Sequence, residues 1–161
     1  MNNKDFKDTL KVPTVEAIIE NITSFHIKQC SIIIGQLSEN TNFDLDDFYF
    51  AIKKMKDHIN DSIVSLEKLL KQSDNKSQNI IQNALDYAED FRGIIEDLSI
   101  NPDNFNHHRS YMDQYINDVY SSLNELLQIT NQNSENTHSN PNSHKTQQSP
   151  EEGKSDISEF C

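Results

Sequence analysis

Apolar residues recur at helical spacing along most of the first 130 residues, and the clearest case lies over residues 44–72. With Leu45 as position a of a heptad, seven of the eight a and d positions are apolar, and Ser62 is the exception. Those positions are, in chain order, Leu45, Phe48, Ile52, Met55, Ile59, Ser62, Leu66 and Leu69. Asp44 stands just before them, where its carboxylate can accept from the free backbone amides of a helix start. The pattern predicts a helix over about residues 44–72.

Three further segments carry the same periodicity, over about residues 14–38, 74–99 and 102–130. No segment alternates polar and apolar residues with a period of two, so strands are not expected. The breaks between the segments are short and polar, which forces neighbouring helices to run antiparallel. The pattern therefore predicts an all-α fold, an antiparallel up-down four-helix bundle over residues 14–130, preceded by an N-terminal extension of residues 1–13.

The composition changes abruptly after Thr130. Of the 20 residues from 131 to 150, 18 are Asn, Gln, Ser, Thr, His or Pro. Such a segment cannot bury enough apolar surface to offset the entropy that is lost when it becomes ordered. Residues 131–161 are therefore predicted to form a disordered polar tail that ends in an acidic peptide.

The net charge of the chain limits its partners. There are 26 acidic and 14 basic side chains, which gives a formal net charge of -12. Nucleic-acid binding is disfavoured, because it depends on neutralising phosphates with a surplus of basic residues. The longest strongly aliphatic run is residues 32–34, far too short for a membrane span, and the first residues lack the pattern of a signal peptide. We expect a cytoplasmic chain with no membrane insertion.

Two pairs of potential metal ligands share helix faces, His26 with Cys30 and His58 with Asp61. Each pair offers two ligands where a structural zinc site needs four, so no metal site is predicted. The sequence shows no phosphate loop, dinucleotide motif or nucleophile with an oxyanion site, and we expect neither a cofactor nor catalytic residues. Gly93 in the middle of a helix costs about 1 kcal/mol relative to Ala, which suggests a close helix crossing or a kink there.

Some apolar side chains are expected to point away from the bundle. Phe50 and Val64 fall at f positions of the heptad, and Ile34 belongs to the run of residues 32–34, whose side chains point in three directions. Outward apolar groups mark an interface when they form a patch, so these three residues are predicted to bind a partner. The alternative is internal packing, with the N-terminal extension folded across them.

Acidic residues are concentrated in the third and fourth segments. Residues 74–97 hold six acids and two bases, and residues 103–125 hold four acids and one base. Such a face is either only solvated or steers a basic partner protein. We expect a protein partner that is helical or basic, with self-association as a second alternative.

The end of the tail combines acidic, small and apolar side chains. Glu151 and Glu152 begin the acidic peptide, and Ile157, Glu159 and Phe160 lie near its end. A polar extension that ends in this way resembles the C-terminal translocation signal of Dot/Icm type IV secretion effectors. The resemblance covers residues 149–161 and does not extend into the predicted bundle. It implies that these five residues belong to a secretion signal and that the chain is exported from a bacterial cytoplasm into a host cell.

Two functions of different classes follow from these expectations, and neither is enzymatic. In the first, the chain is a type IV-secreted effector whose helical bundle binds a host protein. In the second, it is a resident cytosolic adaptor or secretion chaperone that holds a helical partner through its apolar and acidic surface. Both functions use the recognition of a helix in a groove, so the bundle alone does not separate them.

Overall fold

The computed structural model describes residues 13–39, 42 and 44–138, and about 94% of these residues are helical. They form four helical rods and no strand, so the predicted all-α four-helix bundle is confirmed. The first rod consists of α1 (Val15–Asn21), a π-helical turn (Ile22–Ile27) and α2 (Lys28–Glu39). The other rods are α3 (Leu45–Gln72), α4 (Asn75–Ile100) and, after a 3₁₀ turn (Pro102–Asn104), α5 (Phe105–His138).

The rods begin where their capping residues predict. Thr14 Oγ1 accepts a hydrogen bond from the backbone amide of Ala17 at 3.1 Å. Asp44 and Asp74 repeat this arrangement at the starts of α3 and α4, with distances of 2.8 and 2.9 Å to the amides three residues later. A side-chain oxygen here satisfies an amide that has no partner within the helix, which fixes the first turn. The predicted starts of the first three rods therefore agree with the structure to within one residue.

The fourth rod ends later than the sequence indicates. Its helix continues to His138, whereas the predicted helix ended at Thr130. Asn, Ser and Thr are weak helix formers but do not stop a helix, and residues 131–138 contain no Gly or Pro. Extending a formed helix adds one hydrogen bond for each residue that is fixed, so a polar sequence can continue it. The predicted helix end at Thr130 is thus eight residues too early, and residues 139–161 of the predicted tail lie outside the described part of the chain.

The chain divides into two compact units, Met1–Leu127 and Gln128–Cys161. All of the contacts considered below belong to the first unit. Contacts between the rods give their order around the bundle, each rod lying beside the rods that precede and follow it. The first rod contacts the second through His26 and His58, the second contacts the third through Asn60 and Arg92, and the third contacts the fourth through Asp97 and His108. The first and fourth rods line one cleft, to which they contribute Ile27 and Ile116. Phe48 and Phe105 meet edge to face with ring centroids 6.1 Å apart, which joins the second and fourth rods.

The core consists of the apolar stripes that the heptad pattern identified, with two informative departures. Ser62, the polar exception in the heptad, is fully buried, and its hydroxyl donates to the His58 carbonyl at 3.0 Å. A serine at this core position therefore needs no partner from another helix. Leu45, the first a position, is 57% exposed because it begins α3 at the end of the bundle.

A π-helical turn keeps the first rod in contact with the core. Buried or half-buried pairs recur every four residues before and within this turn, at residues 18–19, 22–23 and 26–27. A repeat of four exceeds the 3.6 residues of an α-helical turn, so an ordinary helix would rotate these pairs away from the core. The wider π-turn holds them on one face. The hydroxyl of Thr23 donates to the Ile19 carbonyl at 3.0 Å inside this segment.

Candidate interaction surface

The two exposed apolar residues predicted on α3 do not form one patch. Phe50 is 64% exposed and Val64 is 50% exposed, and they lie 14 residues apart. That separation corresponds to about 21 Å along an α-helix, and the exposed Asp57 occupies the f position between them. The ammonium of Lys54 lies 5.4 Å from the centre of the Phe50 ring and partly covers it. Phe50 and Val64 therefore do not form one binding surface, and partner binding through them stays a prediction.

The assignment of Ile34 to an exposed surface is wrong. Ile34 is 2% exposed and Ile33 is 5% exposed, so both belong to the core. Ile32, at 42% exposure, is the isoleucine of the run that points outward. A rod that packs against two neighbours needs a broad apolar face, and two adjacent positions can then be buried together.

The two ligand pairs noted in the sequence meet between the first rod and α3. The Nδ1 atoms of His26 and His58 lie 3.0 Å apart, and the ring of Phe25 packs against both imidazoles. A hydrogen bond at that distance requires one nitrogen to donate and the other to accept, so at least one ring is neutral. Burial lowers the pKa of His26, and the nearby charge of Asp61 opposes this effect.

Cys30 is placed as a structural thiol. Its side chain is fully buried, its Sγ lies 3.8 Å from the Met55 carbonyl, and burial raises its pKa to about 12. The thiolate is the nucleophilic form of cysteine, so this group is inert at neutral pH. No set of three or more His, Cys, Asp or Glu side chains that could hold a metal occurs in the described ranges.

A groove of about 370 Å³ lies between α4 and α5 beside Gly93. Gly93 and Ile94 line it from α4, and Tyr111 and Tyr115 line it from α5. A Cβ atom built on Gly93 would meet nothing within 4 Å, so the close helix crossing expected there is absent. The missing side chain instead leaves the groove open.

The groove has an acidic and aromatic lining. Asp90 borders it, and within the described residues the carboxylate of Asp90 has no hydrogen-bond or ion-pair partner. Tyr111 is 50% exposed, and the centroid of its ring lies 6.5 Å from that of His107, which also lines the groove. None of the lining residues given by the described part of the structure is Lys or Arg. This lining suits a cationic group.

Asp97 closes one end of the groove and is already committed to hydrogen bonds. Its carboxylate accepts from Asn101 Nδ2 at 3.0 Å, from Asn104 Nδ2 at 3.1 Å and from His108 Nε2 at 2.7 Å. These bonds, that of Asn104 first, lower the pKa of Asp97 to about 2. Asp97 therefore ties the turn between α4 and α5, and Asp90 is the carboxylate that a ligand can reach.

Five predicted secretion-signal residues lie outside the described part of the chain. They are Glu151, Glu152, Ile157, Glu159 and Phe160. The groove was not predicted from the sequence, although Gly93 was the signal that could have indicated it. The π-turn was not predicted either, although the four-residue spacing of the buried pairs could have revealed it.

Comparisons with known proteins add no homologous group to this picture. No protein family, curated protein or solved structure matches the chain. Among the residues that the structure describes, no helix is both long enough and apolar enough to cross a membrane. The candidate surface must therefore be interpreted from its own chemistry.

Proposed function

We propose that this chain is a non-enzymatic interaction module that binds a basic segment of a partner protein along α4 and α5. The observation that carries the proposal is the excess of acidic side chains on these two helices. Residues 74–97 hold six acids and two bases, and residues 103–125 hold four acids and one base. Most of these acids are exposed, which leaves their charge available to a partner.

Acidic residues on both walls extend the groove away from the turn between α4 and α5. Asp86 lies four residues before Asp90, and Asp118 lies three residues after Tyr115, so each continues one wall by helical periodicity. Arg92, which could neutralise this face, instead donates to Asn60 Oδ1 of α3 at 3.2 Å. The face is therefore an acidic strip with a partly apolar groove along it, which is the arrangement that a basic amphipathic helix needs.

A titration with two matched peptides tests this proposal. We expect a basic amphipathic helical peptide to shift the amide NMR signals of α4 and α5 in the full chain. A peptide of equal length with glutamate at the basic positions should leave them unchanged. The affinity should fall as salt is raised, because charge attraction between exposed groups is screened. Absence of binding by the basic peptide at low salt would contradict the proposal.

A pair of charge-matched variants locates the binding face. Asp86→Asn removes one negative charge from the acidic strip, and Asp57→Asn removes one from α3. Both positions are exposed, and the ion pair of Asp57 with Lys53 is a surface pair of little energetic value. We expect Asp86→Asn to weaken peptide binding and Asp57→Asn to leave it unchanged. Equal effects would point to net charge rather than to this face.

As the route by which the module reaches its partner, we propose type IV secretion through the acidic C-terminal peptide. The support is the resemblance of residues 149–161 to a translocation signal. A translocation reporter fused upstream of the full chain should be exported, and a version truncated after Pro150 should not. Failure of the full chain to be exported in a competent strain would contradict secretion and favour the resident adaptor or chaperone.

A further inference from the structure

We propose that the groove beside Gly93 is a binding pocket for the guanidinium group of an arginine side chain on the basic partner. This inference rests on the proposed function and adds the chemistry of the anchor residue. The groove could instead receive a lysine or a second copy of this chain, and both become outcomes of the test.

Gly93 is the first reason to assign a ligand to this place. It lies in the interior of the 26-residue helix α4, where glycine costs about 1 kcal/mol relative to alanine. Packing does not require a glycine, because an added Cβ would meet nothing within 4 Å. Glycine does allow another group to approach the helix backbone closely. A group that approaches the backbone at Gly93 would lie in the groove and contact the side chain of Ile94, which also lines it.

The lining of the groove supplies the chemistry that arginine uses. The carboxylate of Asp90, which has no partner in the described part of the chain, can accept two parallel N–H bonds from a guanidinium. The rings of Tyr111 and Tyr115 offer flat faces on which the planar guanidinium can stack. The ammonium of lysine is a strongly hydrated point charge and can use neither arrangement as well.

The size of the groove fits a side chain better than a larger ligand. Its volume of about 370 Å³ lies near the lower end of the range for small-molecule sites. Apolar atoms make up most of the lining of the groove as a whole, so the methylene chain of an arginine can lie along Ile94 while its head group reaches Asp90. The negative charge of the surrounding strip would attract the same basic segment, so one partner would occupy both the groove and the acidic strip.

The test compares two helical peptides that differ only in having arginine or lysine at the basic positions. Binding to the full chain is measured by amide NMR shifts and by calorimetry. We expect the arginine peptide to bind about tenfold more tightly and to shift signals over residues 90–97 and 107–115. Equal affinity for the two peptides would overturn the guanidinium pocket while leaving the basic-partner proposal intact. Absence of binding by both peptides would overturn the two together.

Three variants separate the groove from the wider face. Gly93→Leu fills the groove, and Asp90→Asn removes its carboxylate without changing its shape. Each should weaken binding of the arginine peptide about tenfold. Gly35→Leu is the matched control, since Gly35 also lies in a helix and its Cβ would meet nothing within 4 Å. Circular dichroism checks that all three variants keep their helicity. Unchanged binding by Asp90→Asn overturns the pocket even if Gly93→Leu fails to fold.

Self-association is examined with the chain alone. If dilution of the unmixed protein moves the signals of residues 90–97 and 107–115, the occupant is a second copy and the proposed partner is wrong. Arg109 is exposed on α5 and would be the donor in that case. Arg109→Ala would then abolish the concentration dependence. Signals that are independent of dilution support a separate partner.

Discussion

Phe91 is the side chain whose loss should cost the bundle most. It is the largest of the fully buried residues and lies on α4. We predict that Phe91→Ala lowers the free energy of unfolding by about 3–5 kcal/mol, because the substitution removes buried apolar surface and leaves a cavity. Phe50→Ala, at a residue that is 64% exposed, should change it by less than about 0.5 kcal/mol. Urea unfolding of both variants measures the difference, and equal losses would contradict the placement of Phe91.

The contact of His26 with His58 should make stability depend on pH. The pKa of His26 in the folded chain is lowered from 6.5 by burial, with a further contribution from His58. The unfolded chain therefore takes up a proton first, and stability is lost as pH falls through about 6.5 toward the folded value. Asp61 opposes the effect by favouring the charged ring. We predict a lower urea midpoint at pH 5 than at pH 7.

The variant His26→Gln provides the control for that pH effect. A neutral amide can occupy the same place without taking up a proton, so the loss of stability between pH 7 and pH 5 should shrink. An equal loss in the variant and the natural chain would show that other groups cause it. Both histidines were identified from the sequence, but their contact was not predicted. A heptad pattern shows which face of a helix is buried and does not define how neighbouring helices are shifted along their axes.

The helices as units were predicted well where local chemistry determines them. Caps at Thr14, Asp44 and Asp74 set the starts, and the spacing of apolar residues identified the buried faces of the last three rods. The end of α5 was missed, because no residue near Thr130 terminates a helix and a polar sequence can extend one that already exists. The groove was missed for a different reason, since a glycine in the sequence does not show whether its open side faces a neighbour or solvent.

The two interior glycines offer a direct check on that distinction. We predict that Gly93→Ala and Gly35→Ala each raise the free energy of unfolding by about 0.5–1 kcal/mol. The reason is that an added methyl group meets no atom within 4 Å at either position. Thermal unfolding monitored by circular dichroism measures both variants. A loss of stability at Gly93 would reveal the close helix crossing that the structure does not show.

The molecule as a whole should need few residues beyond the core. In the described part of the chain, the last buried apolar residue is Leu126. We predict that a chain truncated after Thr130 unfolds with a free energy within about 0.5 kcal/mol of the full chain. A chain truncated after Ser122 also loses Leu123 and Leu126, and it should be strongly destabilised. Matching losses in the two truncations would show that residues 131–161 support the bundle.

The π-turn of the first rod holds one residue more than an α-helix would need to cover the same rotation. One residue removed from Ile22–Ile27 would therefore let an unbroken α-helix join α1 and α2, with Ile19 still facing the core. Removal of a second residue would rotate α1 by about 100° relative to α2 and turn Ile19 toward solvent, although no contact had been mutated. The length of this segment, rather than the identity of any one side chain in it, keeps the two halves of the first rod in phase with the same core.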